Sequence, residues 1–124
     1  MPYATTLPFA VLIALALPLG AYAATDCSQA NTTVDMEQCA QSQYTAADQA
    51  LNQAYKALTR RVTQPAAKAK LITAQKAWIA YRDADCAAQY QLYEGGSMRN
   101  VVLLGCKRQR TEERTQALHD YLPQ

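Results

Sequence analysis

The stretch "CAAQYQLYEGGSMRNVVLLGC", Cys86 to Cys106, places two cysteines on either side of a glycine pair. Gly95-Gly96 is the strongest break in this half of the chain, and Ser97 behind it suits a helix N-cap. The flanks hold Ala, Gln, Leu, Tyr and Arg without strand-like alternation, a composition that favours helix. The stretch therefore reads as a helical hairpin. Cys86 lies nine residues before Gly95 and Cys106 ten after Gly96, so the two cysteines stand at matching heights on antiparallel helices. That height match predicts a Cys86–Cys106 cross-link. Cys27 and Cys39 remain, and their bond would tie the N-terminal segment to the start of the preceding helix. Sequence alone leaves the other two connectivities open. An even cysteine count in a small exported chain reads as disulfides. A four-thiolate zinc site is disfavoured, because there is no Cys-x-x-Cys pair and an oxidising compartment leaves few free thiolates.

Upstream, Pro65 fits the start of a second helix, expected from about Ala66 to Tyr93. Its apolar stripe is Leu71, Ala74, Trp78, Tyr81, Asp85, Ala88 and Leu92, with an aspartate where the period asks for an apolar residue. A first helix should begin near Thr32, which stands three residues before Asp35 as in a capping box. Met36, Ala40, Tyr44, Ala47, Leu51, Tyr55, Leu58 and Val62 then recur on one face, and Arg60 and Arg61 fall at the cation-favouring end. The third helix is expected from about Met98 to Leu122, on the thinner stripe Val101, Leu104, Thr111, Leu118 and Leu122, with Arg114 along it. The fold class expected is all-α, a three-helix up-down-up bundle with two disulfides. A core of this size is marginal alone. Two cross-links closing short loops would each contribute about 3 kcal/mol on the chain-entropy model.

The chain has 124 residues, and none of its charged residues lies in the first 23. "LPFAVLIALALPLGAYA" is an apolar run ending in a small-x-small site, which reads as a signal peptide (1–23) cleaved after Ala23. It departs from pattern in having no Lys or Arg before the apolar core. A retained membrane anchor is disfavoured, since the run is short for a span and broken by Pro18 and Gly20. Residues 24–124 would then be one helical domain, periplasmic or secreted. No lipoprotein pattern precedes Cys27, so no membrane span is expected after cleavage. The net charge of +2 is mild and gives no reason to expect nucleic acid as a partner.

The catalytic inventory is poor. His119 stands alone near the end of the third helix, and no phosphate-binding loop, GxSxG or HExxH pattern occurs. Asp83 and Asp85 are two residues apart, which puts them on different helix faces. Asp35 and Glu37 are explained as helix-start residues. The expectation is a non-enzyme with no cofactor and no metal. A carboxylate-dependent hydrolase built from acids on separate helices is the least favoured reading. The residues that stand out are Trp78, Tyr81, Arg82, Asp83, Asp85 and Arg114. The hairpin register sets Arg114 opposite Trp78 and Thr111 opposite Tyr81. That reads mainly as a structural polar lock between the second and third helices, with binding use at its exposed edge. Lys107, Arg108 and Arg110, with Arg114, form a basic face. Such faces are usually just solvated, and the functional reading is an anionic partner.

Cys27, "TTVDMEQC", "LNQAYKAL", "LITAQKAWIAYRDADC", "GGSM", the final cysteine and "TEERTQAL" together resemble the LprI-type lysozyme-inhibitor-like domain family. The resemblance runs from Cys27 to Leu122, and "AQKAWIAYRDADC" is its specific part. Trp78, Tyr81, Arg82, Asp83, Cys86, Gly96, Cys106, Thr111 and Arg114 match expected positions. It implies an exported, helical, disulfide-linked domain. It implies a protein partner, a lysozyme or another wall hydrolase, because the family takes its name from a member that inhibits lysozyme. Common animal lysozymes are strongly basic and this chain is net positive, so such a contact needs a local acidic or neutral face. Asp83, Asp85 and Glu94 are the sequence's candidates, although Lys76 and Arg82 lie nearby. The alternative class is an envelope-maintenance module that binds peptidoglycan or an envelope protein through the basic helix face.

Overall fold

The computed structural model describes residues 26–122. The expected signal peptide and its cleavage site lie outside the described residues. Three helices make up the fold: α1 (Thr33–Arg61), α2 (Pro65–Leu92) and α3 (Arg99–His119). Both expected disulfides form: Cys86–Cys106, as the hairpin heights require, with Cα atoms 5.6 Å apart, and the remaining pair Cys27–Cys39 at 5.8 Å.

Local chemistry sets the helix ends. Thr32 accepts from the Asp35 N–H, and the Thr32 N–H donates to the Asp35 carboxylate, both at 3.1 Å, which completes the capping box. Val62 turns extended and Pro65 occupies the first position of α2, so only Val62–Gln64 separates the two helices. At the other end Gly95 adopts φ +77°, a left-handed conformation that glycine accepts without steric cost. Ser97 does not cap α3. Met98 holds that position without a side-chain bond, because a tight turn closed by the Arg99 N–H on the Gly96 carbonyl leads directly into the helix.

α3 packs against both other helices, whereas α1 and α2 barely approach each other along their backbones. The alanines Ala40, Ala47 and Ala54 lie on the buried face of α1, where small side chains permit close helix approach. α1 and α3 run in the same direction. Asn100 donates to Glu37 at 3.1 Å across 63 residues, and Asp48 and Thr111, also 63 apart, meet at a common arginine. The apolar core sits at the end of the bundle holding the α1–α2 connection: Leu51, Ala54, Leu58, Val62, Leu71 and Leu118, with Tyr55, Trp78 and Leu122 against them. Each buried leucine contributes about 1.5–3 kcal/mol. The opposite end is held by the disulfides, and polar contacts fill the middle. Among the described residues, no helix is long and apolar enough to cross a membrane.

One expectation is corrected. The buried seam of α2 is Leu71, Gln75, Arg82 and Cys86, with Trp78 half-buried. Tyr81 is 57% exposed and Leu92 83%, and Ala74 and Ala88 also face solvent. Cys86 must face Cys106, and that constraint rotates the helix so that its most apolar stripe lies outside the core.

Candidate functional site

The middle of the bundle is organised by Arg82. Its side chain is 8% exposed, and a guanidinium so buried requires opposite charge and hydrogen bonds. From α2, Asp83 lies 3.0 Å away; from α1, Asp48 at 3.6 Å; from α3, the Thr111 hydroxyl accepts at 3.4 Å. The rings of Trp78 and Tyr44 flank it at 5.3 and 5.7 Å. Arg82 thus ties all three helices at one height. Burial raises the Tyr44 hydroxyl pKa above its ordinary value, with the Arg82 charge opposing.

One turn nearer the core, Arg114 donates to Gln75 at 3.0 Å and its guanidinium lies 5.9 Å from the Trp78 ring. Trp78 therefore has two arginines near its ring, at 5.3 and 5.9 Å, which agrees with the register placing Arg114 opposite it. Thr111 was expected opposite Tyr81, but it meets Arg82 instead, and Tyr81 points away from the cluster. Tyr44, Asp48 and Gln75 belong to this cluster although sequence reasoning did not select them. Gln75 had a signal: Leu71, Gln75, Trp78, Arg82 and Cys86 are spaced as regularly as the apolar series. Tyr44 had its place on the apolar face of α1; Asp48 had no signal, since only tertiary packing brings it to Arg82.

The cations expected to form a basic face are engaged. Lys107 is 3.4 Å from Asp83, Arg108 is 3.1 Å from Glu112, and Arg110 bonds Asp85 at 3.0 Å and Glu113 at 3.2 Å. Donation of a hydrogen bond to the Asp85 carboxylate is the main cause that raises the Arg110 pKa. Asp83 and Asp85 are thus each held by arginine, which is poor preparation for acid–base work. Asp85 also lies close to Cys86 and Cys106, but the cysteine sulfurs are bonded to each other. That leaves no thiolate for a metal there. His119 is exposed at the end of α3.

The outer surface of the first half of α1 has a different character. From Asp26 to Tyr55 the chain has no Lys or Arg; Asp26, Asp35 and Glu37 lie on this surface, while Asp48 turns to Arg82. An open hollow of about 510 Å³ is lined by Val34, Glu37, Gln38, Gln41 and Ser42. It shares Gln38 and Ser42 with a second, of about 310 Å³, which reaches Asp26, Asp35 and the Cys27–Cys39 bond. Val34 is 63% exposed at its rim. Asp26 and Asp35 have pKa values lowered below the ordinary aspartate value, by hydrogen bonds from Ser28 and Thr32 respectively. Both are negative at neutral pH. This face can receive a cationic partner without desolvating a cation of its own.

A family model described as lysozyme inhibitor LprI matches residues 24–118. An uncharacterized protein of Rhizobium meliloti (strain 1021) is 31% identical over 109 residues, covering 78% of this chain and 78% of its own length. No solved structure matches. The match spans α1, α2 and nearly all of α3, including both disulfides and every member of the Arg82 cluster, and the chain belongs to the lysozyme inhibitor LprI family.

Proposed function

We propose that this protein is an exported, non-enzymatic binding protein, periplasmic or secreted, that blocks a lysozyme or another cell-wall hydrolase. The observation that carries this reading is the segregation of charge. The chain is net positive, yet the segment from Asp26 to Tyr55 carries no Lys or Arg and borders an open hollow of about 510 Å³. A basic hydrolase approaching that face would be steered favourably, although the molecule as a whole carries the wrong sign. The second reading, peptidoglycan or envelope-protein binding through Lys107, Arg108 and Arg110, is less well supported. Each of those cations already faces a carboxylate of its own chain.

The test is lysis of cell walls by several lysozyme classes, with increasing amounts of the oxidised protein. Stoichiometric loss of activity is expected for at least one basic class. Gln38→Arg together with Gln41→Arg, both exposed positions, should weaken inhibition about tenfold or more through like-charge contact. Full activity of every class, with circular dichroism showing folded helices, would remove the inhibitor reading and favour an envelope-binding role.

A further inference from the structure

The apolar stripe of α2 that the core does not use needs an explanation. Ala74, Ala77, Tyr81, Ala84, Ala88 and Leu92 follow steps of three and four and all face solvent. Tyr81 and Leu92 are among the most exposed large apolar side chains of the described residues, at 57% and 83%. A helix turned inward on its polar seam, with its apolar stripe outward, has an unpartnered face.

The distribution of charge along α2 selects the occupant. From Gln49 to Arg82 the chain has no acidic residue, and from Asp83 to Met98 it has no basic one. Arg82, Asp83 and Asp85 are engaged within the chain. What remains for a partner on the face of the stripe is Lys70, four residues before Ala74, and Glu94 in the turn after the helix. The pattern is complementary to itself when reversed. If Tyr81 lies on a two-fold axis, Ala74 faces the partner's Ala88 and Lys70 faces the partner's Leu92, beside Glu94. Lys70 then reaches the C-terminal carbonyls of the partner's α2, where the helix dipole favours a cation. The alanines allow the axes to approach to about 8 Å.

We infer that α2 is a self-association surface, on which two copies of this chain pair antiparallel through the Ala74–Leu92 stripe with Tyr81 at the centre. The pairing leaves the acidic face of α1 unused and does not depend on the inhibitor reading. A contact confined to one helix pair is small, so the dimer is expected to be weak, forming at roughly micromolar concentration.

Sedimentation velocity on the whole protein, as processed by an exporting host, tests this across the micromolar range. The mass should rise from one chain to two. Ala84→Glu, at an exposed position where helix stability is hardly affected, should weaken association about tenfold or more. Lys70→Glu should also weaken it, and Lys70→Glu with Glu94→Lys should restore it. Melting curves establish that each variant is folded. A single-chain mass at every concentration overturns the proposal. A dimer insensitive to Ala84→Glu places the contact elsewhere and overturns it equally, as does failure of the charge swap to restore pairing.

Discussion

Arg82 has two jobs that substitution can separate. Its charge is balanced by Asp83 and Asp48, whose side chains remain 46% and 41% exposed, and its stem and guanidinium fill the space between Trp78 and Tyr44. Removing the arginine leaves both carboxylates able to hydrate, and Asp83 keeps Lys107. The stranded-charge penalty that usually follows loss of a buried partner is therefore reduced. Packing is the larger loss. Arg82→Ala should destabilise by about 3 kcal/mol, and Arg82→Met, which refills the volume, by about 1 kcal/mol. Urea unfolding measures both. Equal losses would mean that the charge, rather than the volume, holds the helices together. The apolar stripe read from the sequence includes Tyr81 and leaves out Arg82, because hydrophobicity favours tyrosine. Cys86 decides otherwise: four residues before an inward cysteine, position 82 must also face inward.

Among elements, α1 was the most legible and α2 the least. Thr32, Asp35 and Pro65 act on their own neighbours, so the ends of α1 and the start of α2 fall within a residue or so of expectation. The rotation of α2 about its axis was not legible, because two helical series run side by side and only the contact with α3 chooses between them. The start of α3 falls within a residue of expectation, but its cap does not, since the glycine turn leaves Ser97 without a capping role. The α1 cap gives a pH prediction. The Asp35 carboxylate is held below the ordinary aspartate value of 3.8 by hydrogen bonds from Thr32. A carboxylate depressed in the folded state stabilises it above the unfolded value, and that contribution fades as pH falls through 3.8 toward the folded value. The difference in melting temperature between the wild type and Asp35→Asn should therefore be present at neutral pH and shrink below about pH 3.8. A difference that persists unchanged in acid would show that the charge of Asp35 is not what stabilises the cap.

At the scale of the whole molecule, stability is divided between an apolar end and a cross-linked end. The core around Leu51, Leu58, Leu71 and Leu118 lies at one end, and the two disulfides hold the region it does not reach. They close loops of similar length, with separations of 12 and 20 residues, so the chain-entropy model assigns each about 3 kcal/mol. Their surroundings differ. Cys86 is 0% exposed and Cys106 8%, clamped between helices, whereas Cys27 and Cys39 are half-buried beside the open hollows of α1. A thiolate must reach a sulfur to open the bond. Mild reductant should therefore open Cys27–Cys39 first, fraying the segment before Thr32 with helix content nearly intact. Cys86–Cys106 should open only when the bundle unfolds, so its reduction rate should rise with urea while that of Cys27–Cys39 changes little. Timed alkylation followed by mass spectrometry resolves the order. Because the Cys27–Cys39 loop borders the acidic face, the selectively reduced protein should also inhibit a basic lysozyme less well if that face makes the contact. Unchanged inhibition would move the contact away from the N-terminal half of α1.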